Sequence, residues 1–189
     1  MGAAVTTPFP PQVGDVIPAF KAAMRRFAVS VSIVTVSEGQ TPSGMTATAV
    51  SSVSIDPPSV LVCVNRAARL HAQMQRGSAF CLNILSNEQA SLSSAFGGRL
   101  SAQERFSLGE WLLSPGHPPA LSDAQANVFC TVDALFEYGT HTIFIGRVAE
   151  VRLNGRCRPL IYAEGRYHRI VPVPESIETT PPDMDLTWL

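Results

Sequence analysis

Met45 to Pro57 is the stretch whose residue types and spacing suit chemistry best. Read as one extended strand, it places alternate side chains on opposite faces. One face takes Met45, Ala47, Ala49, Ser51, Val53 and Ile55, apolar enough to bury. The other takes Thr46, Thr48, Val50, Ser52 and Ser54, with hydroxyls recurring every ~7 Å, two strand rises. Ala47 and Ala49 are small enough for a flat ligand to approach the backbone. Thr and Ser hydroxyls donate or accept as the polar edge of a ring system requires. A solvated sheet face has the same composition, so the pattern alone leaves both readings open.

Other reactive residue types are sparse. Cysteines at 63, 81, 130 and 157 form no CxxC, and three of them sit in apolar runs where a thiol behaves as a small hydrophobe. Histidines at 71, 117, 141 and 168 form no HxxxH or HExxH pair, so no metal site is expected. No GxGxxG follows a strand and no P-loop occurs, so any dinucleotide binds without a Rossmann unit.

The elements that position these residues read mainly as strands. A helix is expected with Pro18 in its first turn and Phe20, Met24 and Phe27 as its stripe. Alternation from Val29 flips parity at Val34 and Val36, which predicts a bulge. Glu38 to Gly44 reads as a hairpin connection, and Val60 to Val64 as a buried strand. A short helix is expected over 67–76, with free backbone N–H groups at its start suited to an anion. Ala79 to Leu85 reads as another strand. Ser86–Gln89 and Ser101–Glu104 both have the capping-box form, and Gly97-Gly98 closes the first of those helices. The irregular stretch from Gly109 to Pro119, holding Trp111, is long enough to cover something. Two long strands follow, the second broken at Gly146, and then a hairpin around Ala163-Glu164-Gly165.

The chain has 189 residues, 46% hydrophobic and 15% charged, with a net charge of −1. That describes one domain, with apolar surface enough to suggest a partner subunit. It offers no field for nucleic acid or an anionic membrane, and no apolar run approaches the ~20 residues of a membrane helix. The N-terminus lacks Lys or Arg before Lys21 and carries Pro8, Pro10 and Pro11, so a signal peptide is not expected and the cytoplasm is the default. Residues 1–17 read as a flexible segment, 18–171 as the domain and 172–189 as a Pro- and acid-rich tail. Antiparallel strands with few helices indicate a closed or split β-barrel.

From Gly44-Met45-Thr46-Ala47 through Ser52-Val53-Ser54-Ile55-Asp56-Pro57-Pro58 to Val62-Cys63-Val64-Asn65-Arg66, the chain closely resembles the flavin reductase family. These are small NAD(P)H:flavin oxidoreductases that supply reduced flavin to two-component monooxygenases. The resemblance extends to Met24–Ala28, Asn83–Leu85, Phe96–Gly98, His141–Gly146 and Pro159–Tyr162. It implies a Greek-key split β-barrel with flanking helices, assembled as a homodimer. It also implies FMN or FAD, with NADH or NADPH as hydride donor, and transient delivery to a flavin-dependent monooxygenase.

Carried over residue by residue, the resemblance places Thr46, Ala47, Thr48, Ala49, Val50 and Ser52 along the isoalloxazine. Cys63, Val64, Asn65, Ala67 and Ala68 would take the ribityl chain and phosphate, with Phe96 and Gly97 closing the site. His141 would face and orient the nicotinamide carboxamide, and Tyr167 resembles a late aromatic of the same cleft. Relatives usually read Gly-Asp-His where this chain has Gly139-Thr140-His141. Losing the acid should leave His141 more often neutral at pH 7. Ala68 stands where relatives often carry Ser. Arg66, Arg69, Arg99 and Arg105 are candidate phosphate cations.

Two other readings compete. A flavin-binding module without reductase activity would follow if the missing acid matters. A pyridoxamine-phosphate-oxidase-like FMN enzyme would need several converging cations, and the arginines are scattered in sequence.

Overall fold

The structure is a computed structural model that describes residues 13–38, 41–155 and 157–172. The N-terminal segment before residue 13, most of the expected tail and part of the 38–44 connection lie outside them. Helix α1 spans Val13–Met24 and is followed by the short strand β1 (Val29–Ser30). Next come β2 (Ser32–Glu38), β3 (Thr41–Ala47), β4 (Val50–Ile55) and β5 (Pro58–Asn65). A 3₁₀ turn at Arg69–Gln73 precedes β6 (Ala79–Ile84), α2 (Ala90–Gly97) and α3 (Ala102–Phe106). Then follow β7 (Trp111–Leu112), β8 (Ala120–Leu121), β9 (Ala126–Tyr138), β10 (His141–Leu153), β11 (Ile161–Ala163) and β12 (Arg166–His168).

Seven strands form one antiparallel sheet in the order β3-β2-β6-β9-β10-β5-β4. Its two edges, β3 and β4, are joined by Thr48 and Ala49 alone. A flat seven-stranded sheet would hold its edges ~29 Å apart, whereas the three peptide steps from Ala47 to Val50 reach at most ~11 Å. The sheet must therefore curl enough to bring the Ala47 end of β3 close to Val50 at the start of β4, although no ladder joins β3 to β4 among the described residues. One core fills the curl, with Val34, Ala47, Val64, Phe80, Val132 and Phe144 drawn from six strands and Val50 packed against it from the seventh. Gly146 belongs to this fit, because a Cβ there would overlap the Phe80 ring. The ladder shifts register beside it, where the sequence predicts a break.

A second core lies on the other face of β2. Val31 and Ile33 pack there with Leu92 and Phe96 of α2 and Leu121 of β8. This corrects the reading of the parity flip: β2 pairs with β3 and β6 without a register shift. Val34 and Val36 face the curl while Ile33 faces the helix layer, so both faces are apolar because both are covered. The Gly109–Pro119 stretch covers this layer. Trp111 stacks on Phe96 and Phe106 with centroids 5.2 and 4.9 Å away. Buried Asn83 holds the stretch down, its Oδ1 accepting from Leu121 N–H at 2.8 Å and Asn127 Nδ2 at 2.9 Å.

Several local expectations need correction. Pro18 lies inside α1, which begins at Val13, so residues 13–17 are helical. The second capping box is complete, Ser101 Oγ accepting from Glu104 N–H and Glu104 Oε2 accepting from Ser101 N–H. That bonding, chiefly with Ser101, holds the Glu104 carboxyl below its usual range. In the first box only Gln89 answers, its Oε1 accepting from Ser86 N–H at 2.8 Å, and α2 starts at Ala90. All four cysteines are free. Burial raises the Cys81 thiol pKa steeply and pushes that of Cys130 up to about 12, as inert structural thiols require. No helix of the described residues is long and apolar enough to cross a membrane.

Candidate functional site: two cavities astride a strand break

The expected single strand over Met45–Pro57 is two strands, and the break at Thr48-Ala49 separates two cavities. The first, about 550 Å³, runs from Ser43–Thr46 of β3 to Ala68–Leu70 and the Phe96–Ala102 turn, with Arg105 of α3 at one wall. Gly44 lets the ring of Phe96 lie against β3, since a Cβ at 44 would come within 2.9 Å of it. Thr46 Oγ1 donates to the Ser93 carbonyl at 2.6 Å, so its hydroxyl has only acceptor capacity left.

Three arginines, 69, 99 and 105, line this cavity, and no carboxylate does among the described residues. Arg105 gives Nη1 to Gly44 O at 2.9 Å and Nη2 to Gly98 O at 2.7 Å, while its Nε is buried without a partner. Desolvation, then the Arg69 charge, holds the Arg105 pKa below its ordinary value. Such a group gains from an anion. Scattered in sequence, these cations converge in space. Arg66 does not join them, because its guanidinium meets Glu137 Oε2 at 3.4 Å and Gly139 O at 2.7 Å.

Three of the backbone amides after β5 are already bonded within the protein. Arg66 N–H bonds Thr140 O, Ala67 N–H bonds Asn65 Oδ1, and Ala68 N–H bonds Asn65 O. The element that follows is a 3₁₀ helix, Arg69–Gln73, with no side-chain cap at its start.

The second cavity, about 410 Å³, is lined by Met24, Arg25, Phe27, Val29, Thr48, Ala49, Tyr162 and Ala163. It is apolar and aromatic, with Arg25 as its single cation. None of its walls outside Thr48 and Ala49 was assigned from sequence. Met24–Ala28 and Tyr162 nevertheless fall in blocks that carry the family resemblance, which was the available signal.

Of the residues assigned to flavin, Thr46, Ala68, Phe96 and Gly97 line the first cavity and Thr48 and Ala49 the second. Ala47 and Val64 are instead buried in the curl, and Val50 packs against it. For Val50 the cause is the break: β4 resumes with parity reversed, and a register shift between Ser52 and Ser54 moves it again. Val53 and Ile55, expected inside, are 48% and 62% exposed. Ser52, Asn65 and Ala67 are exposed and Cys63 half-buried, and none lines either cavity.

His141 begins β10, cross-strand from Asn65 on β5 and Tyr138 on β9. It is half-buried, and its Nδ1 lies 2.9 Å from Thr140 Oγ1. Tyr167 sits elsewhere. Its hydroxyl is 2.9 Å from Ser93 Oγ and 3.3 Å from Ser94 Oγ, its ring packs edge-on against Tyr162, and it borders a polar groove with Glu88 and Arg158. There it ties β12 to α2. His71 is held within the fold by Thr142 Oγ1 at 2.8 Å and by the Phe144 ring.

Residues 24–171 match the family described as flavin reductase like domain, and the chain belongs to it. It is 41% identical over 150 residues to the reductase component of the FADH(2)-dependent resorcinol hydroxylase of a Rhizobium species, covering 78% of this chain and 84% of that one. It is 35% identical over 158 residues to the FMN reductase (NADH) RutF of Methylorubrum extorquens, covering 84% and 77%. Among solved structures, it superimposes with a TM-score of 0.76 on the NADH:FAD oxidoreductase of Streptomyces globisporus in complex with NAD and FAD fragments. That match has 29% identity and covers 86% of this chain and 98% of that one.

Proposed function

We propose that the protein reduces FMN or FAD with NADH or NADPH and supplies the reduced flavin to a partner monooxygenase. The observation that carries this reading is family membership across residues 24–171, with 41% identity to the reductase component of a hydroxylase. The cavities fit the group. Three arginines without a carboxylate and a buried, unpartnered Nε suit a phosphate, and the small residues at the break admit a flat ring beside it. Bound flavin and nicotinamide supply hydride transfer from C4 to N5.

The chain's own part is positioning. Arg69, Arg99 and Arg105 hold the phosphate end, Thr46 accepts from ligand donors, and Phe96, fixed by Gly44 and Trp111, forms an apolar wall that excludes water. Thr48 and Ala49 leave room for a ring edge. His141 orients the nicotinamide carboxamide.

We read the curled sheet as a Greek-key split barrel that works as a homodimer. In one protomer Ile17 and Phe20 of α1 and Phe27 just after it are 52%, 57% and 60% exposed, a run of bare apolar surface that a partner subunit would cover. Met24 and Phe27 also wall the second cavity, so a partner covering α1 would close it. The four free cysteines and the use of NAD(P)H suit the cytoplasm.

Converging arginines revive the premise of a phosphorylated-amine oxidase, but family membership favours the reductase. Following the near-ultraviolet absorbance of NADH with excess FMN tests the reading. Steady oxidation is expected; flavin binding without oxidation would leave a binding module.

A further inference from the structure

The turn that presents His141 is braced from outside its own hairpin. β9 and β10 are joined by Gly139, at φ 55°, and Thr140. Arg66, at the exit of β5, grips that turn twice, through its backbone N–H to Thr140 O at 3.0 Å and its Nη2 to Gly139 O at 2.7 Å. Its Nη1 reaches Glu137 Oε2 on β9 at 3.4 Å. That exposed ion pair adds little by itself, whereas the two carbonyl bonds fix the turn's position. On this turn, Thr140 Oγ1 meets His141 Nδ1 at 2.9 Å, the imidazole's one hydrogen bond among the described residues. Nε2 has no partner among the described residues.

We propose that Thr140 is a positioning residue for hydride-donor binding. Its hydroxyl donates to Nδ1 and holds His141 as the neutral Nε2–H tautomer, with Nε2–H directed to the carboxamide oxygen of nicotinamide. This rests on reading His141 as the nicotinamide contact. Nδ1 can accept from the hydroxyl or donate to it, and only the first arrangement leaves the proton on Nε2, as a donor toward a carboxamide oxygen requires. A carboxylate at this place would instead favour the imidazolium. On a loose turn the contact between adjacent side chains would exchange with water. The Arg66 brace removes that freedom before the dinucleotide arrives, which is how preorganisation adds affinity.

The test compares Thr140→Val, Thr140→Ser and His141→Ala with the unaltered protein, all with FMN saturating. Thr140→Val is expected to raise the apparent KM for NADH about fivefold, the ratio one neutral hydrogen bond supports, with kcat and flavin affinity little changed. Thr140→Ser should restore the unaltered KM. Ring nitrogen shifts from long-range ¹H–¹⁵N spectra, assigned through His141→Ala, should show the Nε2–H form in the unaltered protein and mixed tautomers in Thr140→Val. Unchanged KM and tautomer in Thr140→Val, with KM raised in His141→Ala, would overturn the proposal and leave the site reading intact. A raised KM that Ser does not restore, or one without a tautomer change, would make Thr140 merely structural and also overturn it. An unchanged KM in His141→Ala would overturn the site reading, and the proposal with it.

Discussion

The two cavities on either side of Thr48-Ala49 differ in kind. One is edged by three arginines with no acid to neutralise them; the other is lined by Met24, Phe27, Val29 and Tyr162 with a single arginine. A ligand with an anionic end and a flat apolar end can be sorted by such a pair without any dedicated phosphate loop. The division comes from one strand running off the sheet's edge and rejoining it at the other. A break of two small residues is therefore what lies between a charged cavity and an apolar one.

Thr48→Leu attacks the apolar side and carries the largest expected effect. Extra methyl groups where Thr48 lines the second cavity should lower flavin affinity about 100-fold, ~2.8 kcal/mol, in a protein that stays folded. Flavin fluorescence quenching measures it, and retained affinity would place the ring elsewhere. The converse attack is Arg69→Gln with Arg99→Gln. FMN affinity should fall about tenfold while riboflavin, which lacks the phosphate, binds as before. Equal losses for both ligands would mean that the arginines shape the cavity and do not read charge.

Legibility followed the range of the interaction. The long strands β9 and β10, the Ser101–Glu104 cap and the terminal hairpin are local patterns, and the sequence shows them. The break at Thr48-Ala49 is invisible because alternating small and hydroxylated residues continue through it without proline or glycine. That one miss put Val50, which packs against the core, on the hydroxyl face. The flip at Val34 reads equally as a bulge or as a doubly covered strand, and only the presence of α2 over Ile33 decides. The convergence of Arg69, Arg99 and Arg105 is likewise non-local, set by the turn after β5 meeting the α2–α3 corner. Family resemblance reached the function where pattern could not. It did not separate a residue that touches a ligand from one that carries the wall.

Gly44 and Tyr167 test that wall with smaller effects. A methyl at Gly44 would press on Phe96 and on the Thr35 methyl, within 2.9 and 3.2 Å. Gly44→Ala should therefore cost about 1–2 kcal/mol and lower Tm by roughly 3–7 °C, with FMN affinity reduced alongside because Phe96 must shift.

Tyr167→Phe removes only the hydroxyl that meets Ser93 and Ser94 on α2, one turn before Phe96. Ser93 is fully buried, and its Oγ would lose a partner where water has poor access. About 1 kcal/mol of stability should go, seen as a Tm lower by roughly 2–4 °C, with the apparent KM for NADH unchanged. A raised KM with unchanged Tm would instead put the phenol in the cleft with the nicotinamide. The aromatic cavity would then reach past Tyr162 to β12, and its contrast with the arginine cavity would no longer be one of three cations against a mainly apolar wall with one.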